Sequence, residues 1–230
     1  MKAKINCLTI LKEYNIKPNN VELYNEALTH SSYAHEHNLG DEKDYQRLEF
    51  MGDAVLQVVS AELLYKKFSN FKEGELTKLR SKLVRTESLA KLGREIHLPD
   101  MMNLGKGEEK DRGLKDSIIE DCVEAFLGAL YIDKGYDEAK IVALSWLNRL
   151  LLELNEEDIT DYKSMLQELI QSDSREPLKY EFLGSEGKDN DKTFFFRVTH
   201  DGVVLGKGNG KSKKAAEQEA AKEALNKLAK

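Results

Sequence analysis

"YQRLEFMGDAVL", Tyr45 to Leu56, is the stretch on which the fold turns. It opens a helical run, "RLEFMGDAVLQVVSAELLYKKF", in which Leu48, Met51, Val55, Val58, Val59, Leu63 and Leu64 recur at helical spacing. Glu49 and Asp53 stand in this apolar run four residues apart, so both side chains leave one face of the helix. Gly52 between them lets another backbone come close.

A second helix, "KDSIIEDCVEAFLGALYIDKGY", carries Asp121 and Glu124 at i and i+3 among Ile118, Ile119, Cys122, Val123, Phe126 and Leu127. Burying isolated carboxylates costs several kcal/mol unless they are paired or bind metal. No Lys or Arg within these two helices is placed to pair with them. If the helices cross at these positions, four carboxylates converge. Oxygen ligands of this kind suit Mg²⁺. Two such ions about 3.5–4 Å apart activate a water and stabilise a leaving oxygen at a phosphodiester. The plain alternative is a solvated face, the usual fate of an i,i+4 carboxylate pair. Spacing also does not choose between Glu120 and Asp121, since Glu120 and Glu124 are themselves four apart.

Around these helices the first 153 residues read as helical throughout. "YNEALTHSSYAHE" is a short helix running into a polar turn, "EGELTKLRSKLVRTESLAKLGREI" one or two helices, and "DEAKIVALSWLNRLLLEL" another. "DMMNLGKGEEKDRGL" is a loop by its glycines and charges. His30 reads as a hydrogen-bonded structural residue, His35 and His37 lie in the polar turn without ligand spacing, and Trp146 as core or a partner-helix face.

After a polar linker, residues 154–160, the pattern changes. A short amphipathic helix in "DYKSMLQELIQ" precedes three strand-like segments, "LKYEFLGSEG", "KTFFFRVTHDG" and "VVLGKGNG". An Ala-rich helix, "SKKAAEQEAAKEALNKLA", closes the chain. This α-β-β-β-α order over residues 161–230 makes a small α+β domain behind an all-α one at residues 1–153. Phe194 and Phe196 alternate along their strand and read as core.

Charge divides the same way. The 230-residue chain carries a formal −6, but Thr160–Lys230 has 13 basic and 12 acidic residues, and Lys192–Lys230 has 9 against 4. An acidic unit and a basic tail suggest two jobs. Glycines lead into the last helix, whose N-terminus suits phosphate, and Lys211, Lys213 and Lys214 add cations there. A merely solvated helix is the weaker alternative once the preceding α-β-β-β order is counted. The start, "MKAKINCLTI", lacks a signal-peptide apolar region, no apolar run approaches the roughly 18 residues of a membrane span, and two cysteines form no disulfide framework. A reducing, cytoplasmic compartment is expected, with no membrane partner.

These segments together resemble the ribonuclease III family. "RLEFMGDAVL" looks like its signature decapeptide. "EALTHSSY" is similar to its N-terminal motif, "EGELTKLRSKLV" to its acidic-then-basic helix, "IIEDCVEAFLGALYID" to its second acidic motif, and the tail to its double-stranded-RNA-binding domain. The resemblance implies an all-α nuclease domain with the ribonuclease III endonuclease fold. It places Glu49, Asp121 and Glu124 on the magnesium ligands, with Mn²⁺ as a substitute, and it makes Asp53 and Glu124 catalytic. It thereby selects Asp121 over Glu120. Glu73 matches a further acidic position near the dimer interface and the RNA, and a helix-cap carboxylate is an equal reading of it. Gln46 stands where the signature often has Glu, which keeps the size and loses the charge.

In the second domain the resemblance sends Gln167 and Glu168 to 2′-hydroxyls in one minor groove and the "EGKDNDKTF" loop into another. Lys211, Lys213 and Lys214 would hold phosphates between. Lys188 and Asn190 replace the usual Pro and His of that loop. The implied enzyme is a homodimer without a small-molecule cofactor. It cuts each strand of duplex RNA to leave 5′-phosphate, 3′-hydroxyl and a two-nucleotide 3′ overhang. Its expected substrates are ribosomal RNA precursors and some messenger and transfer RNA precursors. A non-catalytic RNA-binding scaffold and a small-molecule phosphohydrolase are the rival readings. The four intact carboxylates oppose the first and the basic domain the second.

Overall fold

In the computed structural model, residues 8–40, 43–109, 114–154, 161–171, 176–188 and 191–228 are described. Contacts divide the chain into two compact units, Met1–Glu153 and Leu154–Lys230.

Among the described residues the first unit is helical: α1 (Leu8–Glu13), α2 (Val21–Ala27), α3 (Ser31–Glu36), α4 (Gln46–Lys67), α5 (Glu73–Leu83), α6 (Thr86–Glu95), α7 (Lys106–Glu109), α8 (Asp116–Lys134) and α9 (Tyr136–Glu153). Helix α8 is the hub. Ten of its residues are buried, from Ile118 to Leu130, including Cys122, Phe126 and Gly128. A helix apolar nearly all round must be wrapped by others, and α2, α4, α6 and α9 pack on it. Its largest partner is α4, which buries Leu48, Gly52, Val55, Leu56, Val59 and Leu64.

The α4–α8 crossing is set by two glycines. A Cβ on Gly52 would fall 1.7 Å from the Glu124 carbonyl oxygen, and one on Gly128 would fall 2.0 Å from that of Leu48. Any side chain at either position would force the helices apart.

Three local expectations change. "YNEALTHSSYAHE" is two helices rather than one, because the His30 side chain accepts the Ser32 N–H and starts α3 afresh. His35 is accordingly helical. The segment expected to be all loop, which begins at Asp100, holds the short α7, and a 3-10 turn at Leu98–Asp100 leads into it. Val58, read as part of the apolar core face of α4, is 55% exposed; with Phe50 (77%) and Tyr65 (73%) it forms a second apolar stripe on the outer side.

The second unit has α10 (Tyr162–Gln171), an antiparallel sheet in the order β1 (Lys179–Glu186), β2 (Thr193–His200), β3 (Val203–Gly210), and α11 (Lys213–Leu228). Asp201 and Gly202, both at positive φ, make the two-residue turn between β2 and β3. Leu166, Val198, Ala220, Ala221 and Ala224 form the core, with Tyr162, Ile170, Tyr180 and Leu205 packed against it. The alanines of α11 therefore let the helix lie close on the sheet. On β3 a Cβ at Gly206 would sit 2.3 Å from the Ala220 carbonyl oxygen, and one at Gly208 2.2 Å from the Ala220 nitrogen. The glycines ahead of α11 are thus where strand and helix touch, which a bare solvated helix would not require. Phe196 is buried and Phe194 half-buried beside Phe182. Asp161 caps α10, accepting from the Ser164 N–H (3.2 Å) and from Gln218 of α11 (3.0 Å). Most of the expected linker, residues 155–160, lies outside the described residues.

Candidate active site

Because α4 and α8 cross at Gly52 and Gly128, Glu49 and Asp53 of one helix and Asp121 and Glu124 of the other lie near enough for Glu124 to feel the charge of the other three. All four are half-buried. Among the described residues no Lys or Arg forms an ion pair with any of them.

Like charges in a half-dry site hold on to protons. Burial, then the repulsion of Asp53, Glu120, Glu49 and Asp121, pushes Glu124 up to about 8. Glu49 is raised by burial and then chiefly by Asp121 and Glu120. Burial also raises Asp121, opposed by a hydrogen bond from the Tyr45 hydroxyl, which donates to Oδ2 at 3.1 Å. Glu120 feels the same cluster but hydrogen-bonds with Thr86 at the start of α6.

Among the described residues no three or more His, Cys, Asp or Glu side chains are drawn tightly enough around one point to hold a metal ion as they stand. The donor set still fits a hard divalent cation in its chemistry: carboxylate oxygens, half-dry, repelling one another and, among the described residues, not ion-paired with Lys or Arg.

Sequence reasoning missed three supporting groups. Tyr45 and Gln57 flank Glu49 and Asp53 at i−4 and i+4, a spacing that could have been followed outward from the pair. Gln57 donates to Asp53 Oδ1 at 3.1 Å. Asp44 accepts the Gln46 N–H at 3.0 Å and starts α4. Gln46 itself is the exposed first residue of that helix. Glu73 begins α5, exposed, and accepts from Thr77 Oγ1 at 2.9 Å. It also lines a groove of about 540 Å³ with Tyr65, Phe71, Leu76 and Arg80, beside the outer stripe of α4. His30 is hydrogen-bonded to Ser32, as a structural residue would be. Trp146 is buried core.

In the second unit Gln167 and Glu168 lie exposed on α10. Lys213 and Lys214 occupy the exposed first turn of α11, and Lys213 stands 5.8 Å over the Phe182 ring. Lys211 pairs with Asp191 of the β1–β2 loop at 2.5 Å. Ser212 already caps α11 by accepting from Ala215 N at 3.0 Å, so the lysines carry much of the positive character there. Asn190 lies outside the described residues.

Comparison with known proteins places the chain in a family. A family described as Ribonuclease-III-like matches residues 20–150, and the Double-stranded RNA binding motif matches residues 162–228. The Ribonuclease 3 of Streptococcus gordonii is 45% identical over 90% of both chains. That of Listeria monocytogenes is 41% identical over 91% of this chain and 92% of its own. The solved nuclease domain of Ribonuclease III from Campylobacter jejuni covers 67% of this chain and all of that one, at 33% identity and a TM-score of 0.58. The chain belongs to the ribonuclease III family of double-stranded-RNA endonucleases.

Proposed function

We propose that the carboxylate cluster hydrolyses the backbone of double-stranded RNA with Mg²⁺, leaving 5′-phosphate and 3′-hydroxyl ends and a two-nucleotide 3′ overhang. The observation that carries this is the Gly52–Gly128 crossing, which brings Glu49, Asp53, Asp121 and Glu124 near one another, with no Lys or Arg ion pair to them among the described residues. Glu49, Asp121 and Glu124 would hold the ions. Divalent ions bound there supply an activated water and charge relief at the departing 3′ oxygen.

The chain's own part is to keep the acceptors in place and dry. Gln57 occupies one oxygen of Asp53, leaving the other to orient the attacking water. Glu124 gives up its proton when a cation takes its place. Residues 1–153 act as the nuclease domain and 161–230 as the RNA-binding domain, joined through 154–160. In the latter, Gln167, Glu168 and Asn190 meet the minor grooves, while Lys211, Lys213 and Lys214 hold phosphates.

Two copies form the working enzyme. The outer stripe of Phe50, Val58 and Tyr65 is the kind of apolar surface that a partner covers. One solved Campylobacter jejuni nuclease domain, at 34% identity, is described by a region involved in dimer formation. Among the described residues no helix is long and apolar enough to cross a membrane. The expected setting is the cytoplasm, and the expected substrates are ribosomal RNA precursors with some messenger and transfer RNA precursors.

Cleavage of a perfect RNA duplex in Mg²⁺ tests the reading. Asp53→Asn and Glu124→Gln should abolish cutting and retain duplex binding. A fully active Glu124→Ala enzyme would remove the site.

A further inference from the structure

We propose that Tyr45 is a positioning residue, holding the Asp121 carboxylate through its hydroxyl in the orientation that takes a divalent cation alongside Glu49. The inference rests on the metal-binding reading above and adds a residue to it.

Tyr45 joins the two halves of the cluster. Its backbone carbonyl accepts the Glu49 N–H at 2.8 Å, at the start of α4. Its hydroxyl reaches across to α8 and donates to Asp121 Oδ2 at 3.1 Å. The side chain takes no part in capping α4, so the hydroxyl is committed to Asp121. Only 4% of the residue is exposed, which leaves the ring little room to turn. A buried hydroxyl without a partner is costly, so ring and carboxylate hold each other.

The segment Thr29–Ser32 braces Tyr45 from behind. The Tyr45 N–H donates to the Thr29 carbonyl at 3.0 Å. The His30 ring meets the Tyr45 ring edge-on, with centroids 5.6 Å apart at 70°. His30 is itself fixed, its Nδ1 2.7 Å from Ser32 Oγ and its backbone N–H donating to Asn103 at 3.0 Å. Asn103 Nδ2 then donates to Thr29 Oγ1 at 3.2 Å, and Gly105 N to Ser32 Oγ at 3.0 Å. The "THSS" motif therefore stands behind Tyr45 as the wall that keeps the phenol aimed, and its His30 also attracts the Asp121 carboxylate. Without the hydroxyl, Asp121 loses this hydrogen bond and keeps only the attraction of the His30 ring, so its carboxylate is freer to turn away from the shared site. Loss of an outer partner of a metal ligand typically costs 10–100-fold in metal affinity.

The test is Mn²⁺ binding by calorimetry to the full-length protein, on wild type, Asp121→Asn and Tyr45→Phe. The wild type should bind, and Asp121→Asn should lose that binding. Tyr45→Phe keeps the ring against His30, and its Mn²⁺ dissociation constant should rise at least about tenfold. Duplex-RNA affinity measured in EDTA should not change. If Asp121→Asn loses Mn²⁺ while Tyr45→Phe binds it like the wild type, Tyr45 is only a packing residue and the proposal fails. If the wild type does not bind, or Asp121→Asn binds equally well, the carboxylate site itself fails and takes this inference with it.

Discussion

Gly52 and Gly128 meet where α4 and α8 cross, so closely that a Cβ on Gly128 would fall 3.0 Å from the Gly52 nitrogen. The contact lies between Glu49 and Asp53 on one helix and a turn beyond Glu124 on the other. The spacing of the acidic side chains is therefore a property of two backbones in contact.

That contact makes Gly52→Ala a severe change. The added methyl meets backbone, which cannot swing aside as a side chain would, so the cost should reach at least about 3 kcal/mol, the top of the usual overpacking range. Urea unfolding of the metal-free protein measures it. A loss below about 1 kcal/mol would mean that the helices separate easily, and that their distance does not govern the site.

Acidity supplies a second check. Glu124 titrates near 8 in the folded protein, chiefly through burial, against an ordinary 4.5. Between those values the folded chain holds a proton that the unfolded chain has released. This group's effect therefore lowers stability as pH rises through the window, is absent below about 4.5 and is complete above about 8. In EDTA, Glu124→Gln should match the wild-type melting temperature near the acid end and exceed it progressively toward pH 8. A gap that stays constant with pH would contradict the crowded, half-dry site.

Binding of duplex RNA should depend on salt through the lysines of α11. Replacing Lys213 and Lys214 with Ala removes two phosphate contacts, so the slope of log affinity against log salt should flatten by roughly 0.9 for each. Lys211 should contribute less, because Asp191 already holds it. An unaltered slope in the double variant would move the phosphate contact elsewhere on the domain.

For the outer stripe of α4, Val58→Asp should convert a dimer to monomers in sedimentation experiments, since a charge at 55% exposure costs the monomer little and the interface much. A wild-type protein that sediments as a monomer would leave that stripe without a partner copy.

Much of this protein was readable from its residues in order. Helical spacing announced α4, α8 and α9, and three strand-like segments in a row announced the sheet. The acidic pairs stood out because charge in an apolar run calls for explanation. Those features are local: they depend on residues a few positions apart, and period and spacing record them. Tertiary packing decided the rest. Val58 shares its period with Val55 and Val59, and only the placement of α8 leaves it outside. Glycines lead into α11, whose N-terminus suits phosphate, yet three of them are spent where β3 presses on the helix. Tyr45 and Asp121 are 76 positions apart, and no period links them. They meet because Gly52 and Gly128 let two backbones touch, and a distance set by helices in contact is written in neither segment alone.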